Sequence, residues 1–195
     1  MRGCTDTEPC KPGRADFGLY TFHDVVRAYI WQHREWARRE LSFYRYQRSF
    51  AQVVKLAALC RTEDGKRHPH QRRTPKRVLH LAHRILQRSK LRPVNTFEEL
   101  HDAVHRTIGG RRGIGPLTVY DVALRIGAKL GKEPRLVFLH AGTRKGAKAL
   151  GLAAGRSTLQ IKELPAPFAR LRPREVEDCL CLYADDMSRI ASRAN

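Results

Sequence analysis

Acidic side chains are scarce in this sequence: 19 Asp and Glu stand against 38 Lys and Arg in 195 residues, a formal net charge of +19. An excess of that size repels itself on folding and implies a polyanionic partner, nucleic acid first and an anionic membrane surface second. Long apolar runs are absent too, with no stretch approaching 18 residues, so no membrane-spanning helix is expected. The N-terminus lacks a charged-then-apolar leader pattern, and a soluble, cytoplasmic protein is expected, nucleoid-associated in a bacterium. No convincing polar–apolar alternation exists to build a sheet. The five cysteines, Cys4, Cys10, Cys60, Cys179 and Cys181, form no metal-binding spacing. Reduced thiols are expected, with no metal and no other cofactor. What remains is 42% apolar residues, enough for a core burying roughly 70% of the unfolded surface.

The apolar spacing is helical throughout, so the fold class is all-α. Residues 1–18 carry Pro12, Gly13 and Gly18 without periodicity and read as a flexible arm ahead of one helical domain over 19–195. Val25, Val26, Tyr29, Ile30, Trp36 and Leu41 predict one long or two short helices over 21–46. Ser49 caps a helix to about Leu59, and Thr74–Pro75 read as cap and first position of the next. Thr96 and Glu99 form a capping box for a helix burying Phe97, Leu100, Val104 and Ile108. A further helix runs from Pro116 to about Leu130, and shorter ones are expected near 142–150 and 173–191. Trp31, Trp36, Tyr44 and Tyr46 read as core aromatics, the two tyrosines flanking Gln47.

Between the helices at 97–108 and 116–130 lies Gly109–Gly115, making a helix-hairpin-helix unit at about 97–130. Gly113 and Gly115 permit positive φ, so turn amides and the following helix N-terminus suit a DNA phosphate, with Arg111 and Arg112 beside them. The segment Lys66–Arg77 holds six Lys/Arg, two His and no acid. Its Lys66, Arg67, His68, His70, Arg72 and Arg73 are candidate DNA contacts, as are Thr143, Arg144 and Lys145.

The stretch RGIGPLTVYDVALRIGAKLGKEPRLVFLH, 112–140, resembles the core of the helix-hairpin-helix DNA glycosylase superfamily. Gly113-Ile114-Gly115 match its hairpin, Leu130-Gly131 its helix exit and His140 a later His/Asn position. The resemblance covers about 41–152 and places Gln47 at the glutamine that probes DNA beside a flipped base. It implies a glycosylase-like helical bundle, double-stranded DNA bearing a damaged or modified base as partner, and a monomer. Two departures bear on the chemistry. The family's catalytic aspartate falls on Phe138, and the lysine of its lyase members on Leu117, so no Schiff base to the sugar is expected. Cleavage passes through a cationic sugar that a carboxylate stabilises, so another acid is required. Asp121 lies four residues after Leu117, one turn along the same helix face. The apolar stripe of Val119, Val122, Ile126 and Leu130 points elsewhere, so Asp121 need not be buried; a salt bridge to Arg125 is its alternative reading.

Glu177, Asp178 and His140 are the other catalytic candidates, the two acids doubling as first-turn helix charges and the histidine as a phosphate contact or proton donor. Leu117, Phe138 and Tyr44 are expected to line the base pocket. The expected activity is that of a monofunctional DNA N-glycosylase acting in base excision repair or against modified foreign DNA. A non-catalytic hairpin DNA binder and an RNA-binding protein are the alternatives.

Overall fold

The computed structural model describes residues 18–194; of the arm read over 1–18, all but residue 18, Cys4 and Cys10 included, lies outside them. Among the described residues the chain is helical save for one two-stranded ribbon, as an all-α reading requires. Helix α1 (Phe22–Gln32) starts at Thr21, whose hydroxyl accepts the Asp24 amide while the Asp24 carboxylate accepts the Thr21 amide. The segment then breaks at His33, giving α2 (Arg34–Arg45). Ser49 caps α3 (Phe50–Ala58) as expected. Helix α4 (Lys76–Leu86) starts one residue later than read, with Pro75 at the cap.

Thr96 caps α5 (Phe97–Ile108), but the Glu99 carboxylate accepts the Asn95 amide instead of that of Thr96, so half of the expected box forms. Helix α6 (Pro116–Leu130) ends where Gly131 turns left-handed. Strands β1 (Val137–Phe138) and β2 (Thr158–Leu159) pair antiparallel around α7 (Ala141–Ala149), the only pairing of its kind among the described strands. The helix expected over 173–191 is two, α8 (Pro173–Leu182) and α9 (Ala184–Ala194), separated at Tyr183. Tyr183 is drawn toward the first helix, its hydroxyl 3.1 Å from Gln32 Oε1 and its ring 5.9 Å from that of His33.

The buried apolar residues divide into two cores. One joins α3, α4, α5 and α6 through residues such as Val54, Leu86, Leu100, Val104 and Ile126. The other joins α1, α7, α8 and α9 through Val26, Ala147, Phe168, Leu180 and Met187. β1 straddles them, with Val137 in the second core and Phe138 packed on the first. Each core removes apolar area from water on its own, so the boundary between them is free to carry polar groups. Three aromatics read as core are on the surface instead: Trp31 is 70%, Trp36 56% and Tyr46 79% exposed. Tyr44 is the one that is buried, its hydroxyl donating to Arg61 O at 2.6 Å.

Within the second core α7 crosses α8 closely at Gly146, where an added Cβ would strike the Leu180 carbonyl. Backbone cannot yield as a side-chain tip does. Gly146→Ala is therefore expected to cost about 1–3 kcal/mol through overpacking, seen as a lower melting temperature; an unchanged melting curve would remove this close crossing.

Candidate functional site

The hairpin forms where the glycines are. α5 ends at Gly109, and Gly110 (φ 71°) and Gly113 (φ 91°) adopt left-handed backbone that side chains rarely tolerate. Gly115 does not: its φ of −94° is extended, and it serves as the N-cap of α6. Ile114 is buried as the anchor of the turn, its amide donating to Arg111 O at 2.9 Å. No side chain caps α6, which leaves first-turn amides to an outside acceptor. Arg111 and Arg112 are exposed beside them. Gly113 backs onto α4, where Val78 lies 3.3 Å from the position of an added Cβ. That contact brings a helix with exposed Lys76, Arg77 and Arg84, followed by exposed Arg88, next to the hairpin. The sequence reading passed over this basic face, although its cations recur at helical spacing.

Further along α6 the polar residues turn inward. Asp121 is 7% exposed and sits among groups from three segments. Gln71 Nε2 donates to Asp121 Oδ2 at 2.5 Å, His70 Nδ1 lies 3.3 Å from the same oxygen, and Arg125 Nη2 lies 3.6 Å from it. Arg125, itself buried, also approaches Glu40 of α2 at 3.5 Å and stands over the Tyr44 ring at 5.7 Å. His68 Nε2 faces Glu40 at 3.5 Å, while its Nδ1 accepts the His70 amide at 3.2 Å. On the side of the second core, His140 Nε2 meets Glu177 of α8, and Tyr29 donates to Asp178 at 2.9 Å. The Tyr120 and His140 rings, 6.0 Å apart, bridge the two groups. The result is a seam of ionisable side chains between the cores. Tyr120 Oη, Gln71 Oε1, His140 Nδ1, Arg125 Nη1 and Arg174 Nε are buried there without a hydrogen-bond partner among the described residues.

Burial alone would raise an aspartate, but Arg125, His70 and Gln71 hold Asp121 well below the usual carboxylate range. Burial opposes charge on His70 as well, and the bond and charge of Asp121 outweigh it, raising that imidazole. For Glu177 the His70 charge and a bond from Asp178 act in that direction but do not prevail. Burial, reinforced by the Asp121 charge, pushes it up to about 8. Burial and the neighbouring Glu177 likewise raise Asp178 far above the ordinary range. Burial lowers His140 to about 4. The seam thus holds two carboxyls kept below the usual range, Asp121 and Glu40, and two raised above it, Glu177 and Asp178, the kind of separation that acid–base carboxyl pairs use.

Several residues singled out in the sequence have other surroundings than expected. Asp121 is not a solvated helix residue, and the Arg125 pair is the reading that stands. Glu177 is 5% exposed and lies beyond the first turn of α8, so a favourable first-turn charge does not describe it. His68, at 3% exposure, faces the seam and not solvent. Arg67 is occupied by the Thr74 and Arg72 carbonyls, so of that loop Lys66, His70, Arg72 and Arg73 are exposed. Thr143 is buried and bonded to Phe138 O and the His140 backbone, out of reach of a phosphate. Arg144 ties down Ala153 O and Arg156 O, and Lys145 pairs with Asp185 at 2.6 Å. Half-buried Gln47 donates to its own helix at Phe43 O. Phe138 packs among Phe97, His101 and Tyr120, Tyr44 lies under Arg125, and Leu117 is half-buried.

No protein-family model, curated protein or solved structure matches the chain. Among the described residues no helix is long and apolar enough to cross a membrane.

Folded Glu177 keeps its proton to about 8, whereas the unfolded carboxyl loses it near 4.5, so folding loses stability as pH rises through that window. Glu177→Gln is expected to match the parent at pH 4.5 and to melt at a higher temperature at pH 8. Parallel pH profiles would contradict a neutral buried Glu177. Asp121→Asn leaves the buried guanidinium with Glu40 alone and is expected to cost about 3 kcal/mol in denaturant unfolding; a neutral substitution would mean that the ion pair holds nothing together.

Proposed function

We propose that the chain grips duplex DNA through the hairpin and hydrolyses the N-glycosidic bond of a damaged or modified base, as a monofunctional glycosylase. One observation carries this reading. The helix whose uncapped N-terminus lies in the hairpin also carries Asp121 into the seam, six residues after Gly115, or roughly 9 Å along the axis. A duplex held at the hairpin therefore stands within one nucleotide's reach of a paired carboxylate and carboxylic acid. The phosphate grip would comprise the α6 amides, Arg111, Arg112 and the exposed cations of α4.

The chemistry divides between the two ends of the seam. Glu177, protonated and held by His140, gives its proton to the departing base as the C1′–N electron pair moves onto that base. A water oxygen bonds to C1′, and its proton passes to His70, half-exposed and oriented by Asp121 through Nδ1, as a dyad orients an imidazole. The Asp121 charge offsets that of the developing sugar cation. Leu117 offers no amine, so the reaction ends at hydrolysis and no strand cleavage by elimination follows. Asp121 and Glu177 are both closed off in the free protein, so DNA binding must part α8 from α6, which two separate cores allow.

That burial also supports a second reading, a hairpin DNA binder without turnover. Single-turnover assays of abasic-site formation on duplexes carrying varied modified bases separate the two. Base release that falls as pH rises through about 8 and is lost in Glu177→Gln is expected; release from no substrate leaves the binder. Arg111→Gln with Arg112→Gln tests the grip itself. Duplex affinity should fall, and the log–log salt slope should shrink by up to about 1.8, or about 0.9 per lost phosphate contact. An unchanged slope removes the hairpin assignment. Tighter competition by structured RNA than by duplex DNA would redirect the partner to RNA.

A further inference from the structure

We propose that His68, His70 and Asp121 form a binding corner for a divalent transition-metal ion of the zinc or cobalt type. One donor atom from each lies within 4.8 Å of the other two. Bonds of about 2.0–2.1 Å set neighbouring donors of a tetrahedral ion about 3.4 Å apart, and His70 Nδ1 and Asp121 Oδ2 stand 3.3 Å apart. That separation is long for a charge-assisted hydrogen bond, which prefers about 2.7–2.9 Å, and suits two atoms sharing an ion.

The histidine tautomers fit as well. His68 turns Nε2 toward Glu40 at 3.5 Å, which leaves Nδ1 as the nitrogen without a proton. That atom now accepts the His70 amide at 3.2 Å. A metal on Nδ1 with a carboxylate on the opposite N–H is the arrangement that fixes ring orientation and basicity in metal sites generally. Charge points the same way. Two carboxylates, half-buried Glu40 and buried Asp121, share the single guanidinium of Arg125 at 3.5 and 3.6 Å, leaving one negative charge beside two imidazoles. The His70 side chain is 46% exposed, which gives an ion a way in and leaves coordination positions to water. Two imidazoles with one carboxylate favour borderline ions over magnesium or calcium. With such an ion bound, His70 Nδ1 is a ligand, and a metal-activated water would replace the proton transfer to His70.

Ion binding is read without DNA, so its failure leaves the proposed DNA chemistry untouched, and the reverse. Untagged protein stripped with chelator is titrated with Co²⁺, followed by visible absorption, and with Zn²⁺ by competition. The expected result is one ion per chain with d–d bands of a low-symmetry nitrogen–oxygen site. Glu40→Gln should weaken binding about 10–100-fold. His70→Ala should weaken it at least as much, with an unchanged circular dichroism spectrum because the ring is half in solvent. The proposal is overturned if neither ion saturates at micromolar concentration. It is also overturned if stoichiometric binding survives in His68→Ala/His70→Ala.

Discussion

The structure turns on a guanidinium in the wrong place for a small domain. Arg125 is 3% exposed in the middle of α6. An isolated buried cation costs several kcal/mol, and only well-placed anions offset it. Glu40 comes from α2 and Asp121 from the same helix, so the charge ties the N-terminal helices to the hairpin unit. Asp121 in turn fixes Gln71 and His70 of the loop before α4. Placement of that basic loop, of the hairpin helix and of α2 is thus decided jointly at one ion cluster.

The second half of the seam obeys the opposite rule. The His70 charge does not prevail at Glu177, whose own charge is suppressed by keeping the proton, with His140 as neighbour. Two apolar cores thus meet at a boundary with carboxyls kept ionised on one side and carboxyls that keep their protons on the other. Tyr120 Oη and Arg174 Nε are among the buried polar atoms there that no described residue bonds. Nothing of this kind is needed merely to hold nine helices together among the described residues.

Much of the local structure is legible in the sequence because its causes are local. Thr96, Ser49 and Pro116 mark helix starts through chemistry confined to one turn, and Gly131 marks an end through its own φ. Gly113 is legible as a hairpin residue for the same reason. The breaks at His33 and Tyr183 are not, since both arise from α1 meeting Tyr183 across more than 140 residues of chain. Asp121 and Arg125 are visible as an i,i+4 pair, yet their burial depends on α2 and the 66–74 loop closing over them. Glu177 and Asp178 look like helix-start charges until α8 is laid against the seam. The exposed Trp31 and Trp36 show the same limit from the other side, aromatic residues whose spacing suits a core that the tertiary arrangement places elsewhere. His68-Pro69-His70 carried a usable signal, a His-x-His step in a basic loop, that only the position of Asp121 turns into a donor set.

The central claim is that DNA held at the hairpin opens the seam on the same helix. Hydrogen–deuterium exchange with and without a duplex reads both ends at once. Protection of 109–119 together with faster exchange across 173–182 and 66–74 is the result this account predicts. Protection at the hairpin with the seam unchanged, or no protection at the hairpin at all, would contradict it.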